Sequence, residues 1–130
     1  MEYFFSHEKL NVYQKALEFV RWWQNVKKSI KAKTSIIDQM DRACDSIPLN
    51  IAEGTGKYTG KDKARYYDIA RGSSLECAAC LDDMEAREIL SDKIVIEGKT
   101  ILKEIVSMLF GLIKSVSDRS YEPEENYEAE

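Results

Sequence analysis

The chain has little of what breaks regular structure: two prolines and six glycines in 130 residues. Long uninterrupted elements are therefore open to it. It has no apolar run near the roughly 20 residues of a membrane span. Its start, MEYFFSHEK, lacks the basic lead and apolar stretch of a secretory signal. A cytoplasmic protein without a membrane role is the expectation. His7 is the single histidine and stands apart from the cysteines, so no metal site is expected. Phosphate-binding glycine loops, dinucleotide turns and nucleophile elbows are missing. Cys77 and Cys80 form a C-x-x-C spacing, but on a helix both fall on one core stripe, which reads as buried, inert thiols. No catalytic residue and no cofactor is expected, and the chain reads as non-enzymatic.

An excess of basic residues is also missing. The net charge is −4, with 19 Lys and Arg against 23 Asp and Glu. Within 118–130, six acids against one base make −5, which leaves residues 1–117 at +1. A nearly neutral body with an acidic end does not suit non-specific wrapping of nucleic acid. The length fits one domain. We read 1–117 as a four-helix bundle and 118–130 as an acidic, disordered tail.

What the chain does have is helical periodicity. Helix 1 is expected over 7–29, capped by Ser6, with two apolar stripes. Leu10, Tyr13, Leu17 and Val20 form one, assigned to the core. Val12, Phe19, Trp22 or Trp23, Val26 and Ile30 form the other, read as a surface for a partner. Helix 2 follows Thr34 or Ser35 and runs to Glu53, with Pro48 inside it and Gly54 as a left-handed cap. Its Cys44 carbonyl, lacking the proline amide, is expected to take Asn50 or a water as donor. Helix 3, over 60–89, starts on a Thr59–Asp62 capping box. Tyr66, Ala70, Ser73, Cys77, Cys80 or Leu81, and Met84 form its core stripe. Gly72, Leu75 and Ala79 lie on nearly the opposite side. Helix 4 follows Ser91 or Asp92 and reaches Val116, with Ile94, Ile101, Ile105, Met108, Leu109, Leu112 and Val116 inward. Four amphipathic helices with short connections predict an all-α, up-down-up-down antiparallel bundle. The second stripes of helices 1 and 3 together predict a homo-oligomer joined through Val12, Phe19, Trp23, Val26, Gly72, Leu75 and Ala79.

The stretch QMDRACDSIPLNIAEGTG, 39–56, carries the most pattern. Beside its apolar face runs a strip of Gln39, Arg42, Ser46, Asn50 and Glu53, with Asp38, Asp41 and Asp45 facing away. A helix needed only for packing does not require that strip. Arg71, Ser73 and Glu76, in ARGSSLE, fall on the neighbouring helix and are expected to meet it. The cluster reads either as a polar pocket or as a network that fixes register around Pro48. Lys57, Lys61, Lys63 and Arg65 gather at the 2–3 end and Lys27 to Lys33 at the other; both are candidate phosphate contacts by charge.

The combination R-A-x-x-S-I-P-x-N-I-A-E-G from Arg42 to Gly54, with FSHEKLNVYQKALEFV before it and Ala70, Gly72, Ser73 and Glu76 after it, resembles the four-helix-bundle proteins encoded in intervening sequences of bacterial 23S ribosomal RNA genes. That family is related to the accessory proteins of diversity-generating retroelements. The resemblance implies an antiparallel bundle in a ring-shaped homo-oligomer, a pentamer. It gives a partner list of the chain itself and RNA or a nucleic-acid-processing protein. The expected role is a binding or scaffolding module for structured RNA or a ribonucleoprotein; the alternative is a protein–protein adaptor with no nucleic-acid role.

Overall fold

The computed structural model describes residues 2–120, with side chains through 117. A 3-10 turn, Ser6–Lys9, leads into α1 (Asn11–Lys27), α2 (Ser35–Thr55), α3 (Gly60–Ala86) and α4 (Asp92–Ser120). Three short connections reverse the chain each time. α3 packs along both α2 and α4, and α1 closes the bundle against the same two helices. The result is an antiparallel four-helix bundle, with no strand among the described residues. No helix among the described residues is long and apolar enough to cross a membrane. The tail beyond Ser120 lies outside the described residues.

The caps explain several boundaries. Thr59 Oγ1 accepts the Asp62 amide at 3.0 Å and starts α3, as the spacing predicts. Ser91 Oγ, rather than Asp92, caps α4 by accepting the Ile94 amide at 3.3 Å. Ser6 caps nothing. Leu10 stands extended (φ −75°, ψ 129°) between the 3-10 turn and α1, so α1 begins later than its apolar pattern suggests. α3 ends at Ala86, before Ile89, because Glu88 takes φ 62° and the Ile89 amide turns back to the Met84 carbonyl at 2.8 Å.

Helix 1 reverses its predicted faces. Val12, Phe19, Trp23 and Val26, assigned above to an oligomer interface, are buried in the chain's own core together with Ala16. Leu10, Tyr13 and Val20 are the half-buried ones, packed at its margin. Aromatic side chains bury the largest apolar area, roughly 150–250 Å² each, so the stripe holding Phe19 and Trp23 gains more from facing inward. The Trp23 indole is satisfied there: its Nε1–H donates to Asp41 at 2.8 Å, and Lys27 donates to the same carboxylate at 2.7 Å. Asp41, read above as facing away, is thus half-buried at the α1–α2 seam. The far edge of the Trp22 indole meets α4 at Gly98, where any Cβ would collide with its ring.

Gly54 is likewise not a left-handed cap, since no glycine has positive φ. It is buried inside α2, and a Cβ there would stand 2.9 Å from the Tyr67 ring. Its role is the close approach of α2 to α3. Tyr67, not Tyr66, is therefore the first core residue of α3, followed by the predicted Ala70, Ser73, Cys77, Cys80, Leu81 and Met84. In α4 the buried positions are Val95, Leu102, Ile105, Leu109 and Val116, while Met108 is 36% exposed. Phe19→Ala is expected to cost about 3–5 kcal/mol, against about 1 kcal/mol for half-buried Leu17→Ala. Urea unfolding of the two variants checks this, and the reverse ranking would restore the original assignment of faces.

Candidate surfaces on the outer faces of α2, α3 and α4

The polar strip forms in part. At the α2–α3 seam Ser73 Oγ donates to Ser46 Oγ at 2.7 Å. Asn50 Nδ2 donates to Ser46 Oγ and to the Ser46 carbonyl, both at 2.9 Å. Gln39 Nε2 donates to Glu76 at 3.2 Å. Gln39 and Ser46 tie α2 to α3 ahead of Pro48, and Asn50 bonds back to Ser46 across the proline within α2. Asn50 does not serve the Cys44 carbonyl, as expected above, because its side-chain amide is held by Ser46, two positions further along. Arg71 turns back to Asp68 at 2.9 Å and Glu53 turns to Lys57 at 3.1 Å, so neither joins the cluster. Arg42 is exposed, with no ion pair among the described residues. The bonds of the seam run among Gln39, Ser46, Asn50, Ser73 and Glu76 themselves.

At the α2–α3 corner the four predicted basic residues split. Lys63 caps α2 by donating to the Thr55 carbonyl at 2.9 Å. Lys57 is paired with Glu53, which holds its ammonium above the ordinary lysine range, and its Nζ lies 4.9 Å from the Tyr66 ring centroid. Arg65 stacks over the other side of the corner, 5.6 Å from the same centroid. Lys61 is exposed. Tyr58, next to Lys57 in the chain, is 99% exposed, a feature that charge counting passes over. At the opposite pole Lys27 is taken by Asp41, and Lys28, Lys31 and Lys33 face solvent.

The third region is apolar. Among the expected interface residues Gly72, Leu75 and Ala79 are exposed on the outer face of α3, as predicted. Sequence periodicity missed their neighbours on α4: Ile96 is 55% and Phe110 60% exposed. The two helices enclose an open groove of about 460 Å³. Leu75, Ala78, Ile96 and Val106 line it, and Glu85, Asp92, Lys99 and Lys103 stand around it. Lys99 pairs across the groove with Asp82 at 2.7 Å. Burial, and then the adjacent Asp92 carboxyl, hold Glu85 above the usual carboxylate range. Gly72 and Gly111 would meet nothing within 4 Å if a Cβ were added. On α2 a single apolar side chain, Leu49, is 67% exposed in the middle of a charged face.

Reactive chemistry is poorly provided for. Cys44, Cys77 and Cys80 are free and buried. Burial, reinforced by Asp45 and Asp41, pushes the Cys44 thiol up to about 12, and burial raises Cys77 and Cys80 as well. Thiolates are the nucleophiles, so these sites are inert in the folded chain. Among the described residues no group of three His, Cys, Asp or Glu is placed to hold a metal ion.

Residues 8–111 match the sequence model of the 23S rRNA-intervening sequence protein family. A crystal structure of a protein of unknown function from the S23 ribosomal protein family of Bacteroides thetaiotaomicron superposes with a TM-score of 0.73 at 24% identity, covering 79% of this chain and 98% of that one. That likeness bears on the fold. A comparison with curated proteins found no match.

The thiols also set a pH dependence. Below about pH 9 they are protonated in both states and stability does not depend on them. Between about 9 and 12 the unfolded chain ionises Cys44 and the folded chain does not, so stability falls as pH rises. Urea midpoints from pH 7 to 11 should stay level and then drop, and Cys44→Ala should reduce the drop.

Proposed function

The chain belongs to the 23S rRNA-intervening sequence protein family, and from that starting point we propose that it is a non-enzymatic scaffold that self-associates through the outer face of α3 and α4. One observation carries this reading. Gly72 and Gly111 sit inside long helices, where glycine costs about 1 kcal/mol against alanine, yet nothing within the chain requires them to be small. Exposed Leu75 and Phe110 adjoin them. The Lys99–Asp82 pair sets an antiparallel register that brings Gly72 and Phe110 to similar levels of the bundle. Small residues beside exposed large apolar ones are what close helix approach from outside demands. A second copy is the simplest partner, and a closed ring such as a pentamer follows where the contact is head-to-tail.

A second reading adds RNA as cargo, favoured by the Tyr66 ring, which has Lys57 Nζ 4.9 Å and Arg65 Cζ 5.6 Å from its centroid, and by the fully exposed Tyr58 near it in sequence. An aromatic face flanked by cations suits an unpaired base and its phosphates. An assembly presents that corner once per copy, so that several can engage one RNA. The alternative is a protein adaptor that presents the same surfaces to another polypeptide.

Light scattering should give a mass that is a multiple of 15.0 kDa. Leu75→Glu or Phe110→Glu should return it to a single copy with helical circular dichroism unchanged. If neither change alters the mass, the α3–α4 face is not the interface. For the RNA reading, affinity for ribosomal RNA fragments should fall steeply with salt, and Lys61→Ala should lower the logarithmic salt slope by about 1. No binding at low salt leaves the adaptor.

A further inference from the structure

Two opposite charge clusters of the chain meet at one end of the bundle. The Lys99–Asp82 pair, 2.7 Å apart, fixes the antiparallel register of α3 and α4. Followed one residue for one down both helices, that register sets the end of α4 at Ser120 level with Lys61, in the first turn of α3. The chain therefore leaves the bundle beside the α2–α3 corner. Residues 121–130, YEPEENYEAE, then add five glutamates and no cation.

The corner holds four cations, Lys57, Lys61, Lys63 and Arg65, against Glu53 and Asp62, which leaves it at +2. Lys57 is engaged by Glu53, and Lys63 by the Thr55 carbonyl. Lys61 and Arg65 are exposed and have no ion pair among the described residues. They are one helical turn apart, about 6 Å along α3. Reach separates this corner from the other basic end. Ten extended residues span at most about 36 Å. The 29 residues of α4 run about 43 Å, and Lys28, Lys31 and Lys33 lie at the end where α4 begins. Those lysines are out of range, whereas Lys61 stands at the root of the acidic segment. The C-terminus of α4 is the negative end of its dipole and disfavours glutamates that follow it directly. The corner is the nearest cationic surface that compensates them. A group tethered by a few residues meets such a neighbour at an effective concentration in the millimolar range.

We propose that residues 122–128 dock on the Lys57, Lys61 and Arg65 corner of their own chain and occupy it against other polyanions. This rests on the RNA reading above and adds what controls that site: an RNA has to displace the chain's own glutamates. The acidity that counts against nucleic-acid binding in the charge total then acts at one place, as a local competitor.

Carbodiimide crosslinking of the full-length chain, read by mass spectrometry, tests the docking without RNA, because it joins a carboxylate to a lysine amine only where the two touch. Glu122, Glu124 and Glu125 should join Lys57 and Lys61, and the products should fade at about 1 M salt, where screening is nearly complete. A mixture of light and heavy-nitrogen chains should give these products within one chain. Crosslinks confined to Lys114, formed between copies, or spread evenly over the surface lysines overturn the proposal. Affinity for an oligouridylate at low salt tests the competition. Glu124→Gln with Glu125→Gln should bind several-fold more tightly than the wild type. Asp38→Asn with Glu88→Gln removes the same charge from exposed positions at the far end of the bundle and should change affinity much less. Equal gains from the two pairs mean that net charge alone acts, and the competition falls. If the crosslinks form as expected and no variant binds the oligouridylate, the docked segment stands and the RNA reading falls.

Discussion

Tyr67 rests against Gly54 with no room for a side chain between them, and the spacing of α2 and α3 is set by that contact. The rest of the architecture depends on it. At this separation Ser46 and Ser73 reach hydrogen-bonding distance across the seam, and Gln39 reaches Glu76. The Tyr67 hydroxyl meets Thr55 at 2.9 Å, which anchors the last turn of α2 just before the chain reverses. Widening the seam would expose these groups to a half-wet crevice, where neither water nor protein satisfies them fully. The polar strip is best understood as the hydrogen-bonded lining of a tight helix contact. It rigidifies the wall from which Leu49 and Arg42 project.

Much of the fold was legible in the sequence because amphipathic periodicity is a strong signal in helices this long. The four helices, the Thr59 cap and most of the α3 core stripe follow from residue spacing alone. The errors have a common physical origin. Periodicity identifies apolar stripes but not which of two stripes a neighbour will cover. In α1 both stripes are apolar, and the outcome turned on the volume of Phe19 and Trp23 and on Asp41 reaching the indole from another helix. Gly54 looked like a terminator because local rules assign glycine to helix ends, whereas here its lack of a side chain is used across the bundle.

The candidate surfaces were less legible. Gly72, Leu75 and Ala79 were visible as a stripe opposite the α3 core. Phe110 and Ile96 were hidden among the many apolar residues of α4, where only the packing against α3 separates inner from outer. Arg42 was grouped with Ser46 and Asn50 on spacing, yet it is exposed and takes no part in their hydrogen bonds; a long cation at the edge of a strip can turn either way. The four lysines and arginines of the corner were countable, but not the carbonyl that occupies Lys63 or the carboxylate that occupies Lys57. Charge totals describe the field of a protein and not which charges remain free.

The placement of α2 at the corner of the bundle beyond α3 has a geometric consequence. Its outer face and the α3–α4 side do not point in opposite directions, because both helices of the groove lie to one side of the bundle axis while α2 looks out diagonally past α3. Copies joined through two such faces rotate by a fixed angle at every step. Such a row would close into a ring where the turn divides a full circle and the step carries no rise, and would wind into an open helix where it does not. The shape of an assembly would then be written in the cross-section of a single chain.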